Sequence, residues 1–235
     1  MNTRKHEARV AGVLYAALVV IGIFGLMYIP SVFIVRGDAA ATAKNIIDSE
    51  LLYRVGVTAD LGGNILFIFV ILALYQLLKE VNRRHATLMM VLALVSVPLA
   101  LVNTVLMAAP LVMLSGADFL APFNQSQLEA LAYAFLRLRT QGIIVASAFW
   151  GLWLLPFGLL VYRSGFIPRI FGVLLWIAGL GYMAECLISL LAPATTGVGT
   201  LLRLLEAGEL GIVLWLLIKG VRDQPSPGQV SSQAA

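Results

Sequence analysis

Along the chain, long apolar runs alternate with short polar ones, and the runs have membrane length. A helix crossing a hydrocarbon core of about 30 Å needs about 20 mostly apolar residues at about 1.5 Å each. Six segments answer to that description: residues 10–35, 57–78, 86–110, 140–162, 169–191 and 201–219. The sixth, LLRLLEAGELGIVLWLLIKG, joins an apolar second half, Leu210 to Ile218, to a first half carrying Arg203, Glu206 and Glu209. The pattern predicts an all-α fold, a polytopic membrane bundle of six transmembrane helices forming one domain over residues 1–222. Residues 223–235 are polar and rich in Pro and Ser, and are expected to be a disordered tail.

The connections differ in kind. KEVNRRH and YRSGFIPR are tight, whereas two others are longer. In the first of these Asp38 stands where it would cap a short surface helix through ATAKNII. In the second, NQSQLEALAYAFLRLR reads as an amphipathic approach to the fourth span, with Ser126 and Glu129 at capping-box spacing. Pro156 is expected to bend the fourth helix. The first apolar run follows Arg4, Lys5 and Arg9 as a signal peptide would, but it exceeds the about 7–15 residues of a signal core and reads as a retained helix. No internal repeat is evident, which argues against an inverted-repeat transporter.

Charge sets the orientation. Ten of the 16 basic residues, Arg4, Lys5, Arg9, Lys79, Arg83, Arg84, Arg163, Arg169, Lys219 and Arg222, fall on one side of the six-pass arrangement. The positive-inside rule makes that side cytoplasmic and puts both termini there, as an even number of spans requires. The composition agrees: 60% of residues are hydrophobic and 12% charged, against about a quarter charged in soluble domains. A net charge of +4 spread in short clusters between apolar runs has no nucleic-acid footprint. The expected surroundings are the lipid bilayer of a bacterial cytoplasmic membrane. Nothing in the sequence points to a protein partner.

Several chemistries are excluded. Cys186 is the single cysteine, so no intrachain disulfide can form and a Cys-based metal centre has no support. His6 and His85 lie outside the apolar runs. There is no HExxH, phosphate loop or G-x-S-x-G. No catalytic residue, metal site or cofactor is therefore expected. Arg36-Gly37-Asp38 reads as a helix cap, and Met89, Met90 and the four tryptophans as core or interface residues.

What remains is a polar layer at one depth. Counting from the cytoplasmic helix ends at about 1.5 Å per residue, Glu209 lies about 14 Å up, Glu206 about 18 Å and Arg203 about 22 Å. Glu185 comes to about 22 Å, Asn64 to about 21 Å, Asn103 to about 25 Å and Asp60 to about 27 Å. Polar groups from four helices thus meet in the outer half of the bilayer, while the inner half is almost wholly apolar. A charge at a helix centre costs about 2.5–3.5 kcal/mol on insertion scales, so these groups should face inward and find partners or water. Glu185 and Arg203 share a depth and are expected to pair. Asp60 and Asn64, four apart, share a face.

The stretches ARVAGVLYAALVVIGIFG, VRGDAAATAKNI, LYRVGVTADL, LYQLLKEVNRRHA, SGFIPRIFGVLLWIAGLGYMAECL and GELGIVLWLLIKGV resemble, in order, the bacterial membrane proteins of domain of unknown function 4386. The likeness covers Arg9 to Val221. It implies a six-helix inner-membrane protein, names no activity, and puts Asp60, Glu185 and Glu209 among recurring acids.

The functional expectation is a polar, acidic pocket in the outer half of the bilayer that binds or passes a small cation, proton or polar solute. Its candidate residues are Asp60, Asn64, Asn103, Glu185, Arg203, Glu206 and Glu209, with Arg203 as counter-ion. The alternative is a structural or regulatory membrane protein whose polar layer only fixes helix packing.

Overall fold

The computed structural model describes residues 3–192 and 205–221, and every regular element among them is helical. Helix α1 is α-helical over Thr3–Gly22, π-helical over Ile23–Tyr28 and α-helical again over Ile29–Phe33. Then come α2 (Ala39–Asp48), α3 (Glu50–Leu78), α4 (Arg83–Met113), α5 (Gln125–Arg163) and α6 (Arg169–Leu191). A 3₁₀ turn at Ala207–Glu209 leads into α7, Leu210–Ile218. Five of these helices, α1 and α3 to α6, are long and apolar enough to cross a membrane. Of the expected sixth span, residues 201–204 lie outside the described residues, as does the expected tail.

Local chemistry explains where helices begin. Asp38 accepts the backbone N–H of Ala41 at 2.8 Å and caps α2, as its position predicts. Asn82 does the same for α4, accepting from the His85 N–H at 3.0 Å. The start of α5 corrects the sequence reading in two ways. Its capping box is formed by Asn124 and Gln127, with reciprocal bonds of 3.0 and 2.9 Å. Ser126 donates instead to Asn124 Oδ1, and Glu129 accepts from Gln125. Because the cap falls this early, the amphipathic approach and the span form one helix of 39 residues. At about 1.5 Å per residue that is nearly 60 Å, twice a hydrocarbon core.

Glycines set the tightest packing. A Cβ added to Gly151 would lie 2.5 Å from the carbonyl oxygen of Gly179, and one added to Gly158 would lie 2.7 Å from that of Gly172. The two pairs sit seven residues apart on each helix, which locks α5 and α6 in one antiparallel register. At Gly12 an added Cβ would lie 2.5 Å from the Leu217 nitrogen, so α1 and α7 also touch through backbone. Arg4 meets Glu80 at 2.6 Å, and Gly220 packs on Lys5. The two ends of the described chain therefore share one end of the bundle.

The core has two parts. The larger includes Leu74, Leu78, Met89, Leu154, Phe157 and Leu216 near the end that holds Arg4. The smaller joins Ile29, Phe33, Ile46, Tyr53, Met107 and Leu136 at the opposite end, under α2. Asp60 and Asn64 of α3, Asn103 and Thr104 of α4 and Arg139 of α5 lie between them along each helix.

Close backbone contact at Gly158 predicts that Gly158→Leu costs about 1–3 kcal/mol by overpacking. Gly62 has open space around its added Cβ, and Gly62→Leu should leave stability unchanged. Thermal unfolding of the two variants in detergent micelles checks the contrast.

Candidate functional site

One turn of helix carries Asp60 and Asn64 to the same face of α3, and Asp60 is the hub of what forms there. Its Oδ1 accepts from Arg139 Nη2 at 3.0 Å, across to α5. Its Oδ2 accepts from the Thr104 hydroxyl on α4 and, at 3.4 Å, from Asn64 Nδ2. Asn64 Nδ2 also donates to Thr104 Oγ1 at 3.1 Å. The side chains of Arg139 and Asp60 are only 6% and 10% exposed. A buried pair of this kind holds only while both partners and their remaining hydrogen bonds are present. Arg139 Nε has no hydrogen-bond partner among the described residues.

A second polar group forms around Glu209, at the last residue of the 3₁₀ turn before α7. Tyr15 of α1 donates its hydroxyl to Oε2 at 2.7 Å, and Tyr182 of α6 donates to Oε1 at 2.8 Å. One carboxyl group thus ties together three separate elements, each of its oxygens taking one phenol.

Both groups line one cavity of about 220 Å³. Asn103 lines it from α4, its amide seated where a Cβ at Gly142 would collide with Oδ1. Phe67, Trp150 and Trp153 supply aromatic wall. Trp150 meets Tyr182 edge-on with centroids 6.2 Å apart, and Phe67 meets Trp153 edge-on at 5.8 Å. On the α1 side the wall includes Gly22, Gly25 and Leu26, at and within the π-helical stretch. Single π turns inside α-helices occur often at functional sites.

Four of the sequence-derived candidates, Asp60, Asn64, Asn103 and Glu209, therefore share a cavity. Glu185 and Glu206 are half-buried and do not line it. Arg203, and with it the expected Glu185–Arg203 pair, lies outside the described residues. The partner of Asp60 is Arg139. Arg139, Thr104, Tyr15 and Tyr182 were not among the sequence-derived candidates. For Arg139 a signal was present: Ala132, Leu136, Arg139, Ile143 and Ala146 follow the three-and-four spacing of a buried stripe. Trp150 and Trp153, expected as core or interface residues, also line the cavity, Trp153 as part of the larger core. Among the described residues no group of three His, Cys, Asp or Glu side chains could hold a metal ion.

Long apolar helices packed around a buried polar layer are compatible with a multi-pass membrane protein. The chain belongs to the family described as Domain of unknown function (DUF4386), whose profile matches residues 10–220. An uncharacterized protein of Archaeoglobus fulgidus is 37% identical to it over 73 residues. That alignment covers 31% of this chain and 42% of the relative, less than half of either. No solved structure matches the chain. The family agrees with the resemblance read from the sequence.

Removing one member of the Asp60–Arg139 pair leaves an uncompensated buried charge. Asp60→Leu and Arg139→Met should each destabilise by about 3–5 kcal/mol. The double variant should recover a large part of that loss. A double-mutant cycle on unfolding in mixed micelles measures it.

Proposed function

We propose that this chain is a six-pass protein of the bacterial cytoplasmic membrane, with both termini in the cytoplasm. In this reading it binds or passes a small cation, proton or polar solute in the cavity between Glu209 and Asp60. The supporting observation is convergence: a carboxyl group and an ion pair, drawn from separate elements, border one half-open pocket of about 220 Å³. An intramembrane ionisable residue is a functional candidate by default, because burying it has a cost. Ten basic residues on one side of the six segments support the orientation. No catalytic role is proposed.

One observation favours a structural reading instead. Asp60, Asn64, Thr104 and Arg139 satisfy one another closely, as a group that merely fastens α3, α4 and α5 would. Glu209 separates the readings, since its phenol partners leave it on the cavity wall.

A ligand that binds only the folded state raises stability by RT ln(1 + [L]/Kd), about 2.7 kcal/mol at a hundredfold excess over Kd. In a thermal-shift screen of inorganic cations, amines and small polar metabolites, wild-type protein should gain stability with at least one compound. Glu209→Gln should lose that gain. A purely structural layer predicts a uniformly lower melting temperature in Glu209→Gln and no compound-dependent difference between the two proteins.

A further inference from the structure

We infer that the cavity is shaped for a small organic ammonium ion, held by Glu209 and framed by aromatic rings. This rests on the solute-binding reading above and names the class of solute.

Charge comes first. Among the described residues lining the cavity, the ionisable acids are Asp60 and Glu209 and the base is Arg139. Asp60 and Arg139 are paired at 3.0 Å and formally cancel. Glu209 is left as the acid whose bonds come from neutral phenols rather than a cation. A cation entering the cavity therefore finds its complement at Glu209, and an anion finds an acid there and an arginine already engaged.

The wall decides which cation. A bare metal ion needs about six oxygen ligands in place of its water. The Glu209 end offers one carboxyl and two phenols, surrounded by rings. A tertiary or quaternary ammonium spreads its charge over C–H groups and needs no such shell. It is attracted to the faces of Trp, Tyr and Phe when its nitrogen lies within about 6 Å of a ring centroid. Tyr15, Tyr182, Trp150, Trp153 and Phe67 all line the cavity. Trp150 and Tyr182 meet edge-on rather than face to face, so they do not cover each other's faces in a stack, whereas Trp153 stacks on Phe157 and gives one face to it.

Size gives the last restriction. A dry cavity of about 150 Å³ accepts one benzene molecule. A space of about 220 Å³ by the same proportion accepts about nine non-hydrogen atoms. That fits a tertiary or quaternary amine with a short polar tail, whose hydroxyl or carbonyl would meet Asn64 or Asn103 on the wall.

The test is isothermal titration calorimetry on detergent-purified full-length protein. The probes are choline, its uncharged isostere 3,3-dimethylbutan-1-ol, and sodium chloride. Choline should bind at least tenfold more tightly than the alcohol. Glu209→Gln should erase that preference. Trp150→Leu, which keeps the carboxyl, should weaken choline severalfold and leave the alcohol unchanged. Each variant is first checked for a monodisperse elution profile, and should Glu209→Gln fail it, Trp150→Leu alone carries the comparison. Equal binding of choline and the alcohol overturns the ammonium assignment while the solute-binding reading stands. Sodium competing as strongly as choline overturns it in favour of an inorganic cation. No heat from choline also overturns it, and the thermal-shift screen then judges solute binding separately.

Discussion

A charge cannot be left alone among hydrocarbon, and in this protein Asp60 carries that constraint for three helices. Its carboxylate takes Arg139 from α5, Thr104 from α4 and Asn64 from its own helix. Each of these would be costly without the others, because a half-satisfied buried group is worse than an apolar one. The result is a crosslink that works only in one arrangement. Its position along the helices, between Tyr53 and Val70 on α3 and between Leu136 and Ala146 on α5, puts it between the two apolar cores. Neither core supplies a partner to Asp60.

Shape is decided largely by what side chains leave out. Gly151 against Gly179, and Gly158 against Gly172, bring α5 and α6 to backbone contact. Without a hydrophobic driving force between helices in lipid, such close approach is a main source of association. The same register sets Trp150 of α5 beside Tyr182 of α6. Tyr182 in turn reaches Glu209, and Gly12 lets α1 approach α7 closely enough for Tyr15 to reach the other oxygen. Backbone contacts at the glycines thus fix where the aromatic wall and its acid meet.

The sequence carried the coarse features well, for a physical reason. Apolar runs of membrane length have few alternatives, so the fifth segment, residues 169–191, matches α6 at both ends. Acids and amides inside such runs are conspicuous, and four of them line the cavity. The start of α5 was harder, because an amphipathic approach and a separate surface helix have the same periodicity; only the cap at Asn124 decides. Arg139 was hidden by that boundary, since it stood outside the expected span. Tyr15 and Tyr182 were hidden by their chemistry. A phenol is apolar enough to pass as core, and its hydroxyl declares itself only when a carboxyl lies within reach. The π-helical stretch of α1 left no mark at all, its residues IFGLMY being ordinary for an apolar helix.

The empty space itself bears on function. Cavities in packed protein cost about 24 cal/mol per Å³ in the series where this was measured. The space lined by Asp60 and Glu209, about 220 Å³, is half-open, so only its enclosed part carries such a cost. A layer built only to fasten helices has no use for it. A larger side chain at Gly22, where an added Cβ meets nothing within 4 Å, would begin to fill it. That position holds glycine, on the same wall as the aromatic rings. The arrangement is the one expected where an occupant, water or solute, replaces the missing contacts.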